Sequence, residues 1–320
     1  MSANTGYGAK LRAPLPVRDG VGPSRTCVKA GKWTTLAQYL IECFPATPAH
    51  EWMRRIAERE VVDRNGLVVT IDRPHEAGLV LFYYRTLESE DRIPFDEDIL
   101  FHDDHLVVAD KPHFLPVIPS GRYLQETLLV RLKRRLGIDS LVPIHRVDRD
   151  TAGVVLFSVQ ERTRDLYQAL FRDRAVEKSY EAVAPVNDRL NLPLTYMSRI
   201  VPDTHFMRMR EVPGPPNATT HIALINRVAA AGGFDQGLYR LAPITGRKHQ
   251  LRVQCAALAI PILNDPIYPE LREERPQGEA AAYAKPLQLL AREIAFRDPL
   301  TNCERRFTSR LTLESSVPAL

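Results

Sequence analysis

The chain has 320 residues, 44% hydrophobic and 26% charged, with a formal net charge of +4. This suits a globular protein of two domains, or of one large domain with an extension, and tolerates a polyanionic partner without requiring one. No apolar run approaches the roughly 18 residues of a membrane span, and the N-terminus "MSANTGYGAKLRAPLPVRDG" lacks a secretory core, so a cytoplasmic protein without membrane contact is expected.

Residues 1–30, rich in Gly, Pro and Ser, read as a flexible tail. "TTLAQYLIECF" then spaces Leu36, Tyr39, Leu40, Cys43 and Phe44 as a helix, with Thr34 or Thr35 as cap. Pro45 and Pro48 end it, and "AHEWMRRIAERE" supplies a second helix. "VVDRNGLVVTI", turning at Asn65-Gly66, and "AGLVLFYYR" read as strands. Residues 31–90 thus form a small helix–helix–strand domain. The charged segment "SEDRIPFDED" marks the boundary to a second domain, residues 91–320. There, strand signals recur in "ILFHDDHLVVADKP", "AGVVLFSV", "KSYEAVAPV", "THIALINRV", "GLYRLAPI" and "EIAFRDP". Helical patterns lie between them in "YLQETLLVRLKRRLG", "ERTRDLYQALFRDRA" and "RKHQLRVQCAALA". This irregular alternation predicts an α+β fold, not a regular βαβ array. "EVPGPPN" and "YPELREERPQGEA" read as surface loops.

Several chemistries lack their motifs. There is no phosphate-binding Gly loop, no dinucleotide fingerprint and no nucleophile elbow. The four cysteines (27, 43, 255 and 303) are scattered, which indicates neither a zinc site nor a disulfide framework. "HDDH" at 102–105 reads as a polar hairpin rather than a metal site. No metal or cofactor is expected.

Three segments concentrate charge beside apolar runs. In "IHRVDRDTAGVVLFSV", Asp148 and Asp150 point the same way on an extended chain, while His145 and Arg146 point oppositely. "EKSYEAV" sets Lys178 and Tyr180 at the start of a strand. In "PITGRKHQLRVQCAALA" a helix is predicted from about Arg247, placing Arg247, Lys248 and His249 in its first turn, where the macrodipole disfavours cations. Arg252, between Leu251 and Val253, sits where that helix should pack. A buried guanidinium needs an anion, and an Asp near residue 148 is the obvious one.

"HRVDRDTAGVVLFS" closely resembles the HRLD-x-x-T-S/A-G signature of the RluA-type pseudouridine synthases. From about residue 97, further segments fall in the same order. "ILFHDDHLVVADKPHFLPVIPSGR" is similar to the family's D-x-x-L-V-V-x-K-P-x-G-L-x-V, and "KSYEAV" to its K-x-Y. "ITGRKHQLRVQ" is similar to T-G-R-x-H-Q-I/L-R-x-H, and "ILNDPIY" to I-x-G-D-x-x-Y. Gln254 replaces the pattern's His, Asn264 a Gly, His113 an Ala and Leu290 a His; these departures are expected in the walls of the RNA-binding cleft.

The resemblance implies a largely antiparallel mixed sheet and isomerisation of uridine to pseudouridine in ribosomal or transfer RNA. It implies RNA as the partner, a monomer and no obligate protein partner. It makes Asp148 the nucleophile, pairs Arg252 with it and sets Tyr180 against the uracil ring. Arg146 beside the nucleophile holds the extruded nucleotide; His145, Lys178, Arg247, Lys248 and His249 are expected to bind RNA. Residues 31–90 resemble the small RNA-binding module many of these enzymes carry, with Lys32, Arg54, Arg55, Arg59, Arg64, Arg73 and Arg85 as its cations. The alternatives are a non-catalytic RNA-binding or ribosome-assembly protein retaining the fold, and an unrelated carboxylate-nucleophile hydrolase.

Overall fold

The computed structural model describes residues 13–87, 89–228, 235–271 and 283–313. The loop expected at 268–280 therefore lies outside the described residues from 272 on. The chain divides into two compact units, Met1–Ser89 and Glu90–Leu320.

The first unit holds β1 (Ser24–Cys27), α1 (Leu36–Cys43), α2 (Ala49–Ala57), β2 (Val61–Asp63) and β3 (Val80–Tyr83). Thr35 caps α1, its hydroxyl accepting from the Gln38 amide. Leu36, Leu40, Trp52, Val61 and Leu81 are fully buried together. The strands form an antiparallel sheet in the order β1-β3-β2. The expected tail is thus wrong at its end, because Ser24–Cys27 pair with Val80–Tyr83 and complete the sheet. Composition could not reveal this, since the partner strand lies more than fifty residues away. Three of the cations expected to face RNA are engaged inside the unit. Arg54 pairs with Glu51 and Glu58, the buried Arg55 with Glu51, and Arg73 with Asp63.

The second unit is built on one sheet. Its strands are β4 (Asp98–His102), β5 (Leu106–Lys111), β6 (Val142–Pro143), β7 (Ala152–Ser158), β8 (Val176–Pro185), β9 (Leu194–Pro202) and β10 (Met209–Val212). They continue with β11 (Ala218–Val228), β12 (Gln236–Pro243), β13 (Leu289–Arg297) and β14 (Glu304–Thr308). The order is β10-β9-β11-β12-β8-β13-β7-β5-β4, with β14 on β13 and β6 on β7. Every pairing is antiparallel except β13 with β7, so the fold is α+β with a mostly antiparallel sheet. Among the described residues three helices accompany it: α3 (Leu128–Leu136), α4 (Glu161–Arg172) and α5 (Gln250–Ala257). None of the described helices is long and apolar enough to cross a membrane.

Two features place the site. All seven residues of β7 are buried, which anchors the loop before it. At the start of β7, Gly153 has φ +108°, and a Cβ there would meet the Ala291 carbonyl oxygen at 2.2 Å. Only glycine lets β7 and β13 approach this closely just after the Asp148 turn. "HDDH" is the β4–β5 turn, where Asp103 accepts from the His105 and Leu106 amides; no metal-binding cluster occurs among the described residues.

Candidate active site

Asp148 lies in the loop between β6 and β7, Tyr180 in β8, and Arg252 in the first turn of α5. Tyr180 sits opposite Leu241 of β12 and Ala291 of β13, at the middle of the sheet. The Arg252 guanidinium, 2% exposed, donates from Nη1 to Asp148 Oδ2 at 3.0 Å. Its other edge grips Asp265, with Nε to Oδ2 at 2.8 Å and Nη2 to Oδ1 at 2.7 Å. Asp265 is 1% exposed and its Oδ1 also accepts from the Ile267 and Tyr268 amides. One guanidinium thus serves two carboxylates, and the trio carries one net negative charge. Asp265 is sealed in, while Asp148, 29% exposed, faces the cleft. Burial alone would lower the guanidinium's pKa; Asp265 and Asp148 raise it instead, so the cation is permanent.

The cleft is about 760 Å³, and Asp148 is the only carboxylate among its described lining residues. Arg146, Arg174, Lys178, Arg247 and Lys248 also line it. Arg146 is exposed, and none of these five lies within 4 Å of a described carboxylate. Lys178 reaches only the Thr245 carbonyl, and Arg247 the Asn217 carbonyl. Burial, with the neighbouring Arg174 charge, lowers the Lys178 pKa. Tyr180 keeps its proton, because burial and then the Asp148 charge push its pKa to about 12.

Two histidines, His145 and His249, line the cleft in the neutral form. Burial lowers His145 to about pKa 3; its Nε2 accepts from the Leu156 amide at 3.1 Å and its ring stacks on Phe171 at 4.6 Å. It reaches the cleft wall as a neutral ring. His249 lies 3.8 Å from Asp148 Oδ1, but burial holds its pKa near 4, so at neutral pH this contact is no ion pair. Its Nδ1 meets the Tyr268 hydroxyl at 3.0 Å.

The helix carrying Arg252 starts later than its charge pattern predicts. His249, at φ +56°, is the N-cap and Gln250 the first helical residue, so Arg247 and Lys248 lie in the preceding turn. Of the cations in that turn only Arg252 remains, and it is paired with two carboxylates. Gln250 organises that turn. Its Oε1 accepts from the Thr245 hydroxyl and the Arg247 amide, while its Nε2 donates to the Thr219 carbonyl and the Thr220 hydroxyl. Asp148 and Asp150 do not share a face either: a turn at Arg149-Asp150 separates them, and Asp150 is buried beside Arg149.

Residues 105–257 match the family model described as RNA pseudouridylate synthase. The chain is 32% identical over 210 residues to the dual-specificity RNA pseudouridine synthase RluA of Pasteurella multocida, covering 64% of this chain and 88% of that one. It belongs to the RluA-type family of RNA pseudouridine synthases. A similar match, 31% identical, links it to tRNA pseudouridine synthase C of Haemophilus ducreyi, over 64% of this chain and 86% of the relative. Human pseudouridylate synthase RPUSD2 is 29% identical over 69% of this chain, which spans only 41% of that relative's length. Among solved structures, human RNA Pseudouridylate Synthase Domain Containing 4 aligns at TM-score 0.50 and 27% identity, covering 67% of this chain and 88% of its own.

The four departures from the pseudouridine synthase pattern fall outside the cleft lining, contrary to expectation. Gln254 is on the buried side of α5, accepting from Thr220 and donating to Ser198. Asn264 adopts φ +61°, a conformation that Asn tolerates nearly as Gly does. His113 Nδ1 contacts the Asp150 carbonyl at 2.7 Å, and Leu290 is core. Two further residues escaped the sequence reading. Asp265 could have been suspected, because a buried guanidinium has more donors than one carboxylate can satisfy. Lys111, fully buried, donates to the Pro112, Leu115 and Arg149 carbonyls and so ties β5 to the Asp148 turn. Burial lowers its pKa to about 7, yet three carbonyls call for the three N–H groups that only the ammonium has.

Proposed function

We propose that the protein converts specific uridines in structured RNA, ribosomal or transfer RNA, to pseudouridine, with Asp148 as nucleophile. The carboxylate attacks either the anomeric carbon or carbon 6 of the uracil. The bond from nitrogen 1 to the sugar breaks, the base turns, and carbon 5 bonds to the anomeric carbon. Carbon 5 loses a proton, nitrogen 1 gains one, and Asp148 is released as a free carboxylate. Product and substrate are isomers.

The observation that carries this reading is a lone cleft-facing carboxylate, anchored by a buried arginine, in a rim that holds five cations without a described carboxylate partner. The cations suit phosphates. Extruding the base costs a few kcal/mol, and exposed Arg146 is placed to hold the extruded nucleotide or fill the gap it leaves. Tyr180 gives the uracil ring an apolar surface that stays uncharged. Relatives named for tRNA support transfer RNA as one substrate class.

Asp148→Asn preserves shape but removes the nucleophile. Pseudouridine formation should vanish while RNA affinity largely survives, and more than trace turnover overturns the assignment. Asp150→Asn should retain much more activity. Mapping pseudouridines in RNA from a deletion strain against the parent identifies the substrate.

A further inference from the structure

Phe206 is 82% exposed, at the tip of the β9–β10 hairpin. A lone exposed apolar residue means little, but this one is held out by its surroundings. Met207 and Met209 turn inward and pack against Val253 of α5 and Tyr268. The Arg208 amide donates to the His205 carbonyl, and the Asp203 amide to the Arg208 carbonyl, closing a tight loop. Arg208 itself donates to the Pro269 carbonyl at 2.9 Å and lies over the Tyr268 ring. The His205 ring stacks on Phe206, 5.1 Å between centroids.

The hairpin tip is also joined to the cleft. The Met209 amide donates to the Tyr268 hydroxyl at 2.7 Å, which contacts cleft-lining His249 at 3.0 Å. Lys248, a cleft cation, reaches the Phe206 carbonyl at 3.5 Å. An aromatic face thus stands free beside cations that can hold a phosphate backbone. Exposed aromatics flanked by cations are how single-stranded nucleic acid is gripped, the rings stacking on bases while the cations track phosphates.

We infer that Phe206 is a stacking platform for an unpaired nucleobase of the RNA, outside the pocket that takes the target uridine. This rests on the proposed function, in that RNA is the ligand of the cleft. The site recognises a π-face, not a sequence, and anchors the strand beside the nucleotide being modified.

The test uses the full chain and a 12-nucleotide oligouridylate, alongside the same sugar-phosphate chain made abasic. Phe206→Ala should weaken binding of the oligouridylate about 5- to 100-fold, the range for losing one base–aromatic stack. Phe206→Tyr should restore it, Phe206→Leu should not, and abasic binding should be the same for all four proteins. The salt dependence should not change, because no phosphate contact is lost. Equal oligouridylate affinity for wild type and Phe206→Ala, absence of binding included, overturns the inference. So does an equal effect of the substitution on the abasic chain. Failure of the proposed function reads out separately, as wild type that binds oligouridylate yet forms no pseudouridine in the RNA of a deletion strain.

Discussion

Arg252→Met should produce two separable losses, because the guanidinium serves two carboxylates in different surroundings. Toward Asp265, which is 1% exposed, it removes charge-assisted hydrogen bonds of 2.7 and 2.8 Å. Breaking a buried pair from one side costs about 3–5 kcal/mol. The Ile267 and Tyr268 amides still donate to Asp265, which places the cost near the lower end, about 3 kcal/mol. With a urea dependence of about 3 kcal/mol/M, the midpoint should fall by roughly 1 M. Far-UV circular dichroism reports this. Both tryptophans, Trp33 and Trp52, lie in the first unit, so tryptophan fluorescence provides a control transition that should stay put. Adding Asp265→Asn removes the stranded charge but keeps an acceptor for the two amides, and should recover on the order of 1–2 kcal/mol. Pseudouridine formation should stay lost in both variants, because Asp148 still lacks its cation. A double variant no more stable than Arg252→Met, or either variant with wild-type turnover, refutes the reasoning.

Three half-buried histidines should make the second unit acid-sensitive. His113 and His249 are lowered to about pKa 4 and His145 to about 3, with burial the first cause in each. The unfolded chain therefore binds protons first. Their contribution is complete above about pH 6.5 and is lost as pH falls toward 4 and then 3, at about 1 kcal/mol per histidine per unit. The urea midpoint should drop between pH 7 and 5.5, and His145→Gln should flatten that drop; a midpoint that holds or rises on acidification contradicts the assignment. Replacing Lys32, Arg59 and Arg64 together by Gln should reduce the salt slope of RNA binding by about 3, since they are the cations of the expected set with no carboxylate pairing or other described contact that competes with phosphate. An unchanged slope would mean that this face of the first unit does not contact RNA.

The ion pair of the site was legible in the sequence because the cost of a buried charge is local. A guanidinium between Leu251 and Val253 on a packing helix demands an anion, and the dense charge before β7 offered Asp148, 104 residues away, which does lie 3.0 Å from it. Helices and most strands were legible too, since their periods of 3.6 and 2 are written in apolar spacing. Strands β9, β10 and β14 were not anticipated. They lie at or near the sheet edge with mostly exposed or half-buried residues, so the apolar signal is weak where pairing decides. Tertiary structure alone decided that Asp265 takes most of Arg252, that Gln250 holds the turn before α5 and Lys111 the Asp148 turn, and that Gly153 yields to the Ala291 backbone. Each depends on which distant backbone atoms come within 3 Å. A linear pattern shows that a buried donor must be satisfied, but the register between strands far apart in the chain determines which acceptor satisfies it.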